Sequence, residues 1–137
     1  MAQLTLKNVF KRYDNTGKAR WKQNDYAVND LSFTCQDGEF VGILGPSGCG
    51  KSTTLRMVAG LETVTAGEMF IGDVRINNLL PKDRNIGLAF EDYALYPPLT
   101  VYDNLAFNLR AKNVPPDEIR KAIDRIAPLL EVRDLLD

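Results

Sequence analysis

Histidine is absent from all 137 residues, and cysteine stands at only two positions, Cys35 and Cys49. Two thiols are too few for a disulfide framework, and with no imidazole beside them they lack the spacing of a zinc or other transition-metal site. Neither sign of charge dominates: Lys plus Arg number 17 and Asp plus Glu 18, a net charge of −1. A nucleic-acid binder carries a basic excess, so no nucleic-acid partner is expected. Long apolar runs are also missing. The stretch 40–44 is far short of the ~20 residues that span a bilayer, and Met1 to Lys7 lacks the charged-then-apolar order of a signal peptide. What remains is 45% hydrophobic and 26% charged, ordinary for one soluble globular domain and unlike a fibre or a disordered tail.

The pattern along the chain alternates between strand and helix periods. Residues 3–9 and 27–35 read as extended runs, and the polar, turn-rich stretch 14–25 between them reads as a loop or protruding hairpin end. Residues 40–44, Phe-Val-Gly-Ile-Leu, form the short apolar run typical of a strand covered on both faces. Further strands are predicted over 68–71, 74–76 and 85–90, with Gly72-Asp73 turning between the first two. Helices are predicted over 51–59, with Gly60 placed to end it, over 101–111 with Val101, Leu105, Asn108 and Leu109 on one face, and from Pro116 onward. Pro116 suits a first helical position and Asp117 and Glu118 suit the first turn, whereas Pro128 must end or kink that helix. Neither an internal repeat nor a linker-like stretch divides the chain.

One motif carries chemistry. Gly45-Pro46-Ser47-Gly48-Cys49-Gly50-Lys51-Ser52 fits G-x-x-x-x-G-K-[ST] at every fixed position, with an apolar run entering it and a helical run leaving it. Glycines let backbone N–H groups curl around a di- or triphosphate. Lys51 brings a point charge to the β- and γ-phosphates, Ser52 a hydroxyl for Mg²⁺, and the helix its positive end. Four fixed positions match by accident in well under ~1% of chains this long. Cys49 occupies a free position of the motif, beside a helix N-terminus and Lys51, surroundings that make a thiol reactive.

The run from Gly45 through Thr53-Thr54-Leu55-Arg56-Met57-Val58-Ala59-Gly60 to Glu62 resembles the phosphate loop of ABC-transporter ATPase subunits, and so does the run Tyr93-Ala94-Leu95-Tyr96-Pro97-Pro98-Leu99-Thr100-Val101-Tyr102-Asp103-Asn104-Leu105. Both are closest to the subfamily powering bacterial carbohydrate importers of the maltose and glycerol-phosphate type. The resemblance covers residues 1–137 and implies an α/β fold: part of a P-loop NTPase core, with an N-terminal antiparallel β subdomain and the start of a helical subdomain. It implies ATP and Mg²⁺ as cofactors, with Tyr13 stacking on adenine, a role for which Trp21 and Tyr26 are rival aromatics, and Thr53 bonding the α-phosphate. Glu91 stands where the family has Gln; a carboxylate can still ligate Mg²⁺ but loses the amide donor. The segment Tyr93 to Leu99 is implied as the docking surface for transmembrane permease subunits, with a second ATPase subunit completing a homodimer on the cytoplasmic face of the membrane.

The family pattern continues with a Ser-Gly-Gly-Gln run, an apolar strand ending in Asp-Glu, and a histidine, none of which stands in these 137 residues. The expectation is therefore the N-terminal portion of the domain, binding nucleotide better than it hydrolyses it. Two alternatives belong to other classes. One is a small P-loop kinase with Arg110, Arg120 and Arg125 over the phosphates, and the other a non-catalytic docking module for membrane subunits. Because apolar runs such as 40–44 call for neighbouring strands, the 137-residue chain is expected to self-associate. Size-exclusion chromatography with light scattering checks this, and a sharp monomer peak with cooperative unfolding would show that the chain closes a core by itself.

Overall fold

Residues 2–13, 26–90 and 95–136 are described by the computed structural model. The loop expected over 14–25, with Trp21, and the positions Glu91 and Tyr93 lie outside the described residues. The chain comprises two units, Met1–Leu88 and Ala89–Asp137.

The first unit is built on an antiparallel sheet of order β2-β1-β3-β4, with β1 over Leu4–Arg12, β2 over Tyr26–Cys35, β3 over Ala66–Ile71 and β4 over Val74–Arg75. Gly72-Asp73 makes the expected two-residue turn, since Ile71 pairs with Val74. The alternation in β1 is broken in the middle: the buried residues are Leu6, then Val9. The cause is a register shift at Asn8, which adopts φ 46° opposite Asp30 at φ 52°. Asn and Asp tolerate this left-handed backbone better than other side-chain-bearing residues. The Asn8 N–H donates to Ser32 Oγ at 2.7 Å and its Nδ2 to Asp30 Oδ1 at 2.9 Å. The bulge thereby returns Val9 to the inner face.

Helix α1, Lys51–Ala59, is fastened to this sheet by Met57, which is buried with Leu6, Val9, Val28, Met69 and Ile76 in one cluster. Burial of a side chain of this size contributes about 1.5–3 kcal/mol. The helix ends where the sequence predicts. Gly60 takes φ 82° and its N–H donates back to the Arg56 and Met57 carbonyls. Against that end lies Arg84, buried to 5% exposure. Its Nη1 donates to Met57 O at 2.7 Å and Val58 O at 2.9 Å, and its Nε to Leu79 O at 3.0 Å. A Cβ on Gly60 would strike this guanidinium. Burial pushes the Arg84 pKa down from the ordinary arginine value, but the group keeps its charge and opposes the negative end of the helix dipole.

Two expected strands are not formed. Residues 40–44 are irregular and exposed, Phe40 to 97% and Leu44 to 94%. Residues 85–90 carry no strand either. An apolar run signals burial, but a strand exists only through its ladder partners, and no described strand pairs with either segment.

The second unit contains α2, Val101–Ala111, and α3, Pro116–Ile126. Thr100 caps α2, its Oγ1 accepting from the Asp103 N–H at 3.1 Å. Helix α3 starts at Pro116 and stops two residues before Pro128, as the prolines require. Ala106, Ile119, Ile123 and Ala127 form its core, with Tyr102, Leu105 and Leu109 packed against them. The inward face of α2 thus includes Tyr102 and Ala106, while Asn108 is exposed. The Asn104 side chain ties the preceding segment to α2: Oδ1 accepts from the Tyr96 N–H at 2.9 Å, and Nδ2 donates to Thr100 O at 3.0 Å.

Arg84→Ala removes the guanidinium donor from the Val58 and Leu79 carbonyls, leaves Met57 O only its bond from the Gly60 N–H, and is expected to lower unfolding free energy by about 3 kcal/mol. Arg84→Lys should recover less than half of this, because an ammonium cannot reproduce the planar fork. Urea unfolding followed by circular dichroism measures both.

Candidate phosphate-binding site

The loop entering α1 is shaped by what glycine permits. Gly50, the N-cap, sits at φ 91°, and a Cβ there would collide with the Ala27 carbonyl oxygen of β2. Only glycine allows this approach of loop to strand. Gly50 has no side chain to cap the helix, and the first turn contains no acidic residue. Among the described residues no side-chain cap bond closes the first turn, and the positive end of the dipole is left uncapped there.

Lys51 folds back along the loop. Its Nζ donates to Gly45 O and Pro46 O, both at 2.7 Å, and lies 3.7 Å from Cys49 Sγ. Ser52 is exposed and Thr53 half-buried in the same turn, whereas Thr54 is turned inward, its Oγ1 donating to Gly50 O at 2.9 Å. Residues 45–49, including Ser47 and Gly48, are exposed. The motif residues from Gly45 to Thr53 are thus brought together around one uncapped helix end.

A cleft of about 390 Å³ opens beside the loop, with Gly48, Cys49 and Lys51 on one side and Tyr26, Val28 and Leu31 of β2 on the other. Tyr13 is not part of this lining. Its ring is 42% exposed and has the Lys11 ammonium 4.8 Å from its centroid. Lys11 is itself buried, donating to Thr63 O at 2.8 Å and paired with Glu62 at 2.8 Å. That hydrogen bond from Lys11 holds the Glu62 carboxyl below the usual carboxylate value. Neither this Lys11–Glu62 pair nor Arg84 was singled out by the sequence reading, because buried ion pairs and carbonyl-bound guanidinia join residues far apart in the chain.

The described residues contain no group of three or more His, Cys, Asp or Glu that could hold a metal by itself. The exposed Ser52 hydroxyl suits Mg²⁺, which takes few protein ligands and gains the rest from phosphates and water.

A family model described as ABC transporter matches residues 28–137. The chain is 47% identical over 137 residues to the sn-glycerol-3-phosphate import ATP-binding protein of Bartonella bacilliformis, and 45% identical over 136 residues to the oligosaccharides import ATP-binding protein of Bacillus subtilis. These alignments cover 100% and 99% of the chain but only 37% and 35% of those proteins. Among solved structures, it is similar to the ATP-binding cassette MJ0796, in a dimeric post-hydrolysis state bound to ADP and Pi. The TM-score is 0.78 at 32% identity, covering 97% of this chain and 60% of that one.

The two thiols differ in setting. Cys49 is exposed on the loop, while Cys35 is half-buried with its Sγ near the Gln36 and Glu39 carbonyls, at 3.8 and 3.7 Å. Cys49 is expected to be alkylated about tenfold faster than Cys35, with MgATP protecting Cys49 alone. Peptide mass spectrometry after timed maleimide labelling reads both, and equal, unprotected labelling would contradict the loop geometry.

Proposed function

Because the chain belongs to the ABC transporter family, we propose that it is the N-terminal portion of an ATP-binding subunit that couples ATP binding and hydrolysis to solute uptake. The observation that carries this reading is the uncapped N-terminus of α1 beneath a glycine loop, with the Lys51 ammonium already set against that loop. The first-turn N–H groups and Lys51 receive the β- and γ-phosphates, and Thr53 the α-phosphate. Bound Mg²⁺, held by Ser52, would neutralise charge developing on the phosphates during transfer. The names of its relatives, importers of glycerol phosphate and of oligosaccharides, support a sugar or sugar-phosphate as the solute.

Partner docking falls to the segment ending at Leu99. Leu95 is 67% exposed, while Tyr96 is stacked on Phe107 with ring centroids 4.5 Å apart. Fixed by Asn104, this apolar surface fits a helix of a transmembrane permease subunit. No described helix is long and apolar enough to cross a membrane itself; the import function named for its relatives supports a peripheral place on the cytoplasmic face. The dimeric state of the similar cassette supports pairing with a second ATPase subunit. A phosphotransferase reading gains nothing from Arg110, whose Nη1 is held by Asp103 at 2.7 Å.

Lys51→Ala removes the charge that faces the phosphates and is expected to weaken binding of a fluorescent ATP analogue by at least about 100-fold, with the circular dichroism spectrum retained. Unchanged affinity in equilibrium titration would overturn the assignment.

A further inference from the structure

We propose that Arg84 is a positioning residue for polyphosphate binding: it fixes where α1 stands along its own axis, and so where the opposite end of that helix meets the phosphates. The role rests on the phosphate site proposed above. The guanidinium is 5% exposed, and its partners are backbone carbonyls. Nη1 donates to Met57 O and Val58 O in the last turn of α1, Nε to Leu79 O, and Nη2 to Asn77 O at 3.4 Å. Burying a cation is costly, and an apolar side chain of similar volume would fill the same space without that cost. What the cation adds is direction, because a planar fork bonds only acceptors that stand in its plane.

Helix carbonyls point along the axis toward the C-terminus, so the bonds to Met57 and Val58 restrain axial sliding. The other contacts of α1 restrain it sideways: Met57 packs into the sheet cluster, and Gly50 lies against the Ala27 carbonyl oxygen. Arg84 is itself held. Its N–H donates to Pro81 O at 3.3 Å, and its side chain fills space that Gly60 leaves, where a Cβ would stand 2.6 Å from Nε. Over nine residues, about 13 Å, a helix moves as a rigid rod. A slip of about 1 Å at Arg84 therefore reappears at the first-turn N–H groups and at Lys51, and it stretches a hydrogen bond beyond its useful length.

The probe is inorganic tripolyphosphate, displacing a fluorescent ATP analogue from the 137-residue chain. Arg84→Lys keeps the cation and loses the fork, and is expected to weaken tripolyphosphate about tenfold per folded molecule. Timed maleimide labelling separates positioning from loosening. The Cys49 rate should change at least about threefold while Cys35 stays within about twofold, whereas a globally loosened chain exposes both thiols. Wild type supplies a second reading, because linkage is reciprocal. Saturating tripolyphosphate should slow amide exchange at Gly60 and Leu61, which donate to the Met57 and Arg56 carbonyls, more than at Thr65, which donates to Phe10 O. The expected excess is at least about threefold. The proposal is overturned if Arg84→Lys binds within about twofold of wild type or if both thiols accelerate together. Should that variant not fold, it is overturned if exchange at Gly60 and Leu61 slows no more than at Thr65. Failure of the phosphate reading is distinct: tripolyphosphate would then bind equally well to wild type and Lys51→Ala.

Discussion

The guanidinium of Arg84, buried among the carbonyls at the C-terminal end of α1, is the contact on which the loop entering that helix depends. A helix of nine residues is too short to hold itself together in water, and Met57 supplies only one deep anchor. Arg84 adds charge-assisted bonds at the negative end and links that end to the turn at 77–79. With one terminus bound by a cation and the other left without a capping side chain, the helix directs an uncompensated positive end toward the loop. The position of Lys51 and the close approach of Gly50 to Ala27 follow from where that helix is held.

The exposed segment 40–44 belongs to the same picture. It leads into the loop, yet it lacks ladder partners among the described strands and leaves Phe40 and Leu44 almost fully in water. The chain spans 35–37% of the length of the curated relatives described above. The sheet that is formed is the antiparallel one, whose four strands pair with one another within residues 4–75. That pairing reaches from Leu4 to Ile71 and passes over 40–44, and among the described residues no strand pairs with 40–44 or 85–90.

Local rules were legible in the sequence and long-range ones were not. Lys51–Ala59 with its Gly60 stop, Val101–Ala111, and the start of α3 at Pro116 all follow from caps, periodicity and proline. The glycine-rich loop that enters α1 follows from fixed spacing. Asn8 and Asp30 hid the β-bulge, because nothing in either strand alone says that two left-handed residues will face each other across a pair. Arg84 read as one more charged residue in a turn, since its four carbonyl partners come from residues 57, 58, 77 and 79. The apolar runs at 40–44 and 85–90 revealed a tendency toward burial, and that tendency was read as strand.

The two short bonds from Lys51 to the Gly45 and Pro46 carbonyls make anion capture an exchange rather than an addition. Beyond the third N–H, which meets only the Cys49 sulfur at 3.7 Å, each bond the ammonium forms with an incoming anion is offset by one it gives up to the loop. A monatomic ion such as chloride presents a single diffuse acceptor and gains little by the trade. A polyphosphate presents several oxygens at once, enough to engage the ammonium and the helix N–H groups together. On the function proposed above, the folded-back lysine disfavours a lone monatomic anion relative to a polyphosphate, through the geometry of two carbonyls.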